Sequence, residues 1–158
     1  MTLNHEEISN KLRCFQIAKD VSMLDKGRYR NKAVRVETEF KYPDGSNIDL
    51  YIYEQGNELK ISDFGETFTW LSHILIDPAK TQKRKQYLTE TLKFHNADLN
   101  GSMIERSCDD ISKLQSYSLE VGLACVKLAE LYLSKRNLLR STFNEDAEEA
   151  IMQRGIGF

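Results

Sequence analysis

Between residues 33 and 62 the chain specifies its own strand pairing. "AVRVETEFKY" alternates without a break, Val34, Val36, Thr38 and Phe40 on one side and Arg35, Glu37, Glu39 and Lys41 on the other, which is the period of a half-buried strand. "PDGSN" then supplies a turn, with Pro43 fixing φ and Gly45 free to take a positive φ. "IDLYIYEQ" and "ELKIS" follow, joined by Gly56-Asn57, a short-hairpin dipeptide. Strands joined by turns this tight pair antiparallel. With Gly56 and Asn57 as the loop, Gln55 faces Glu58, Tyr53 faces Lys60 and Leu50 faces Asp63. Leu50, Ile52, Leu59 and Ile61 then share one face. Asp49, Tyr51, Tyr53, Glu58, Lys60 and Ser62 share the other, expected to face solvent. A slip of one residue would mix the two sets.

Helices are expected on both flanks of this meander. Asn4 with Glu7 fits a capping box opening a helix whose apolar face is Ile8, Leu12 and Phe15, fading between Ser22 and Gly27. "GETFTWLSHIL" reads as a short helix ended before Pro78, and "PAKTQKRKQYLTETLKF" as a second with Pro78 in its first turn. Asn100-Gly101 predicts a hairpin of strands near 95–99 and 102–107. From Asp109 or Asp110 a long helix is expected to about Arg136, with Ile111, Leu114, Val121, Cys125, Leu128 and Tyr132 along one stripe. "STFNEDAEEAIMQ" adds a short acidic helix before the tail. The expectation is an α+β fold: N-terminal helix, three-stranded antiparallel meander, two helices, short hairpin and long C-terminal helix. Residues 1–136 form a single domain and 137–158 an acidic appendage.

Composition narrows the function classes. A net charge of −2 over 158 residues argues against a surface wholly given to polyanions. "MTLNHEEISN" has neither a basic segment nor an apolar core of the signal-peptide kind, and no run approaches the roughly 20 apolar residues of a membrane span. Cys14, Cys108 and Cys125 are odd in number and lack CxxC spacing, as expected of reduced thiols in a cytoplasm. His5, His73 and His95 show no ligand spacing, so no metal or cofactor is expected.

"ELKISDFGETFTWL", Glu58 to Leu71, offers three kinds of chemistry. In a metal-dependent nuclease of the D…E-x-K type, Asp49 and Glu58 would hold the ion and Lys60 would orient water, with Asp63 as an extra carboxylate. The register opposes this reading. Asp49 lies six residues before Gln55, the partner of Glu58, or roughly 20 Å along the hairpin, whereas ligand bonds to one ion are about 2.0–2.5 Å. The kinase letters D-F-G stand without a glycine-rich loop or an H-R-D-type catalytic loop. The third reading is structural: Asp63 and Glu66 as a capping box, with Gly65 where the strand turns into the helix.

Two basic runs and one helix carry the remaining possibilities. Lys26, Arg28, Arg30, Lys32 and Arg35 surround Tyr29, and Lys80, Lys83, Arg84 and Lys85 cluster in "KTQKRK". Cations interleaved with an aromatic suit a phosphate backbone and a stacked base, though solvated lysine is the ordinary alternative. The long helix, about 27 residues and roughly 40 Å, exceeds what a small sheet covers, so part of it is a candidate homodimer surface.

"YPDGSNIDLYIYEQGNELKISDFGETFTWL", Tyr42 to Leu71, resembles the bacterial and phage family called domain of unknown function eighteen-twenty-eight. The resemblance rests on Pro43-Asp44-Gly45, on Ile48 to Ile52, and on Ile61-Ser62-Asp63-Phe64-Gly65-Glu66-Thr67. It implies a cytoplasmic protein of bacteria, phages or mobile elements, on one side of host–phage conflict, and carries no residue roles. The combined expectation is a non-enzymatic interaction module with a protein partner, modulating a host defence or nucleic-acid machine. The alternatives are the nuclease and a nucleic-acid-binding protein.

Overall fold

The computed structural model describes residues 2–13 and 18–133. Helix α1 (His5–Arg13) leads into strand β1 (Ala18–Met23). The meander is β2 (Ala33–Lys41), β3 (Asn47–Gln55) and β4 (Glu58–Ser62). Helices α2 (Glu66–His73) and α3 (Gln82–Phe94) precede β5 (Asp98–Asn100) and β6 (Met103–Cys108). A 3-10 turn, Ile111–Lys113, opens α4 (Leu114–Ala129). The strands form one antiparallel sheet in the order β1-β2-β3-β4-β6-β5, so the architecture is α+β.

The meander and its register are as the alternation dictates. Gln55 pairs with Glu58, Tyr53 with Lys60 and Tyr51 with Ser62. Leu50, Ile52, Leu59 and Ile61 are fully buried under the helices with Val34, Val36, Ile104, Val121, Ala124 and Leu128. Each such aliphatic side chain contributes about 1.5–3 kcal/mol of burial. Helix α4 lies across β2, β3, β4 and β6, and α1 packs on β1 and α4. At α1, Asn4 Oδ1 accepts from the Glu7 amide at 3.1 Å, the forward half of the expected box.

The strand count is the main correction. The sheet has six strands, not three, because the Asn100-Gly101 hairpin joins it through β6 on β4 and because β1 occupies residues expected to be helical. "AKDVSM" hides its nature: a bulge between Ala18 and Asp20 interrupts the register and Val21 is the one buried residue. An edge strand buried at one position writes no alternation. His5 Nε2 lies 3.1 Å from the Val21 carbonyl, so a ring from α1 sits on that edge. Helix α3 starts at Gln82, four residues after Pro78, because Thr81 Oγ1 accepts from the Arg84 amide and caps it there. Helix α2 ends where Leu75 takes φ +61 and the Ile76 amide reaches back to Leu71 O at 2.9 Å, a left-handed cap that needs no proline. Helix α4 ends at Ala129, with Glu130 as its C-cap, short of the expected Arg136; Cys14, Phe15, residues 134–136 and the acidic segment lie outside the described residues.

The stripe of α4 is spent on its own sheet: Leu114, Val121, Cys125 and Leu128 are completely buried. The approach is closest at Gly122, where an added Cβ would stand 2.3 Å from the Phe40 ring. Gly122→Ala should therefore destabilise the fold by about 1–3 kcal/mol through overpacking, and Phe40→Leu should recover much of the loss in the double variant. Urea unfolding followed by the fluorescence of Trp70, the sole tryptophan, measures both. Equal stability of Gly122→Ala and the parent would refute the contact.

Candidate functional site

The run Ser62 to Thr67 forms a corner in which each side chain has a task. Ser62 Oγ accepts from the Phe64 amide at 3.0 Å. Asp63 is wholly buried, and its carboxylate takes three backbone donors: Gly65 at 2.8 Å and Ile104 at 2.9 Å on Oδ1, Thr67 at 3.1 Å on Oδ2. The Asp63 amide also donates to Ile104 O at 3.1 Å. One residue thus ends β4, starts α2 and clamps β6. Burial pushes its carboxyl up, against the downward pull of the three donors. Phe64 and Gly65 both take positive φ, +53 and +78. A Cβ on Gly65 would meet Ser102 Oγ at 2.9 Å, so glycine is required here twice over.

The P-D-G turn, Pro43-Asp44-Gly45, touches this corner. Tyr42 stacks on Trp70 (centroids 5.1 Å apart, 6° between planes), and its hydroxyl lies 3.1 Å from Thr67 Oγ1. Trp70 Nε1 donates to Asp44 Oδ2 at 3.0 Å. Hydrogen bonds from Ser46 and then Trp70 hold the exposed Asp44 carboxyl down to about 2. Cys125 lies beneath this group, its thiol held well above the ordinary range by burial.

Phe64 changes the expected character of the sheet's second face. Left-handed backbone at a non-glycine costs roughly 1–2 kcal/mol, and it turns the ring back over β3. There it stacks on Tyr51 (4.4 Å, 8°) and on Tyr29 from the β1–β2 loop (4.9 Å, 26°), with Tyr53 at 5.5 Å. The face is therefore roofed rather than open, correcting the sequence expectation. Tyr51 and Tyr53 are 7% and 4% exposed. Their hydroxyls donate to Glu66 Oε1 at 2.6 Å and Glu105 Oε2 at 3.1 Å, and burial, with those carboxylates, raises both phenols. Glu66 does not reach back to complete the expected capping box; its carboxylate is taken by Tyr51. Burial raises its proton affinity, the Tyr51 bond opposes this, and Asp49 and Asp63 add to the rise.

The residues singled out from sequence fall in three places. Asp49 pairs across the sheet with Glu37 and receives Arg35 through Nη2 at 2.8 Å and Nε at 3.1 Å, both on Oδ2. Glu58 sits at the far end beside the turn, opposite Gln55, and Lys60 Nζ donates to Ser107 Oγ. Six residues separate Asp49 from Gln55, so the nuclease trio does not converge. Among the described residues no group of three His, Cys, Asp or Glu is arranged to hold a metal. Lys26, Arg28, Arg30 and Lys32 are exposed in the β1–β2 loop, with the Arg28 guanidinium 5.9 Å from the Tyr29 ring. Lys80, Lys83, Arg84 and Lys85 lie at the start of α3, which packs on α4 and β5. The two basic runs are thus on different sides of the molecule.

Sequence reasoning missed the four-ring cluster and the roles of Glu66 and Glu105. One signal was present: Leu50-Tyr51-Ile52-Tyr53 carries large side chains on both faces of a strand, the pattern of a strand covered twice.

Two tests address this corner. Asp63→Asn puts an amide N–H against one of the three donors and should cost about 1–3 kcal/mol in urea unfolding; no loss would remove Asp63 from its role. Glu66→Gln keeps an oxygen for Tyr51 and removes the charge. The folded state holds the Glu66 proton more tightly than the unfolded chain does. Its stabilising contribution is therefore complete below the ordinary carboxyl value and is lost as pH rises through the folded one. As pH rises above the ordinary carboxyl value of about 4, the variant should gain stability relative to the parent. Parallel curves would contradict it.

No curated protein and no solved structure matches the chain. The described helices include none long and apolar enough to cross a membrane. A family match runs from Thr38 in β2 to Ser112 in the turn before α4, taking in the P-D-G turn, the corner, both helices between and the hairpin. The matching family model is described as Domain of unknown function DUF1828 and covers residues 38–112.

Proposed function

We propose that the chain is a non-enzymatic interaction module that engages a protein partner through the outer face of the sheet, around Phe64 and Tyr29. One observation carries this reading: Phe64 is held in a left-handed conformation that places a half-buried ring on the face turned away from α4. Strained residues held by their surroundings concentrate at binding and switching sites. An aromatic centre ringed by charges is also the usual anatomy of a protein interface. A nuclease reading lacks the converging carboxylates. Nucleic-acid binding has the exposed cations around Tyr29 in its favour, but Glu37, Glu58 and Glu66 share the adjoining face and repel phosphate. Modulation of a host defence or nucleic-acid machine by a phage or mobile-element protein is the context that the family resemblance suggests.

A photo-crosslinking residue at Lys60, on this face, should trap a protein in native-host cells, and the adduct should survive nuclease treatment. The same probe at Lys93, exposed on α3, should not trap it. Phe64→Ala should lower the yield roughly tenfold or more, the cost of removing an aromatic anchor. Adducts that vanish with nuclease, or that form from Lys93 alone, would overturn the reading.

A further inference from the structure

The charges around the aromatic centre are arranged in two adjoining blocks of opposite sign. The β1–β2 loop exposes Lys26, Arg28, Arg30 and Lys32 against one carboxylate, Asp25. The loop is held in shape: Leu24 and Asn31 donate to the carbonyls of Ala33 and Leu24 at 2.9 and 2.8 Å, and Lys32 donates to Tyr29 O at 2.8 Å. The sheet face beside it carries Asp20, Glu37, Glu58 and Glu66 against two ammonium groups, Lys41 and Lys60, with Glu39 and Asp49 already paired with Lys19 and Arg35 and Glu105 buried against Tyr53. Among the described residues none of the loop cations and none of those four carboxylates is in an ion pair. The loop block, four cations against Asp25, has a net charge of +3, and the face block, four carboxylates against two ammonium groups, a net charge of −2.

The blocks meet at the rings, since Tyr29 belongs to the loop and packs on Tyr53 and Phe64 of the face. A two-fold axis through that point would lay the loop of one molecule over the face of another, and the reverse by symmetry. This is the self-complementarity that an isologous dimer requires. A foreign basic protein would satisfy the glutamates and leave the loop cations unmet, and a polyanion would do the opposite. A second copy satisfies both.

Resting on the outer-face reading above, we infer that the partner is a second copy of this chain, docked face to face about Tyr29 and Phe64 with loop cations against face carboxylates. The stripe of α4 takes no part, being buried in its own core.

Sedimentation velocity on the full chain tests this directly. The protein should be dimeric in about 0.1 M salt and dissociate at least roughly tenfold more readily in about 1 M salt, as the screening length falls from about 10 Å to about 3 Å. Arg28→Glu with Arg30→Glu should give a monomer, and so should Glu37→Arg with Glu58→Arg. An equimolar mixture of the two variants should recover a dimer, since each supplies the sign the other lacks. That rescue also shows that both variants are folded. A chain monomeric at every concentration, a dimer indifferent to both variants, or a mixture that stays monomeric would overturn the inference. If the chain is monomeric while the Lys60 probe traps a different protein, the dimer fails and the outer-face reading stands. A monomer whose probe adducts disappear with nuclease would sink both.

Discussion

A single buried carboxylate holds three elements of this molecule in register. Asp63 gives the β4 end, the start of α2 and the β6 backbone a common acceptor, and its own amide closes the link to Ile104. A buried carboxylate without donors would cost several kcal/mol. With three charge-assisted hydrogen bonds it becomes a fixed point. The hairpin of β5 and β6 is far from β4 in sequence, and Asp63 is where its placement is fixed by polar geometry as well as by the burial of Ile104.

The corner also shows how strain in one place is supported from another. Phe64 and Gly65 are consecutive left-handed residues, a conformation the chain adopts because Asp63 and Ser62 hold the amides that follow them. The strained ring then covers Tyr51 and Tyr53, whose hydroxyls bind Glu66 and Glu105. The ring stacking and the two phenol–carboxylate bonds offset a backbone cost of roughly 1–2 kcal/mol. In this way a local rule broken at one residue organises the whole outer face.

The meander was legible in the sequence because two independent signals agreed. Side-chain alternation over residues 33–41 and turn chemistry at Gly45 and Gly56 admit one register, and that register also separates Asp49 from Glu58. The outer face was less legible. Its cover comes from Tyr29 and Phe64, a loop residue and a strand-end residue whose positions depend on backbone conformations that no alternation encodes. Strand β1 was illegible for another reason: with Val21 alone buried and a bulge at its start, its residues have no period. The acid-to-helix motif was read in outline only. Asp63 does hold the start of α2, but its carboxylate takes the Gly65 and Thr67 amides rather than that of Glu66. The helix begins after Gly65, and the Tyr51 hydroxyl takes the Glu66 carboxylate. Sequence spacing shows what Glu66 can reach along the chain, and says nothing of what arrives from another strand.

The two borders of the sheet have a consequence for how the molecule behaves in a crowd. At one border β1 is bulged, carries Lys19 and Asp20, and has the His5 ring against its Val21 carbonyl. At the other, β5 is three residues long and ends at a glycine turn. Neither offers the flat ladder of free amides and carbonyls on which strands of other chains add without limit. Open-ended growth into fibrils is thus disfavoured at both ends, and association is left to surfaces that close on themselves.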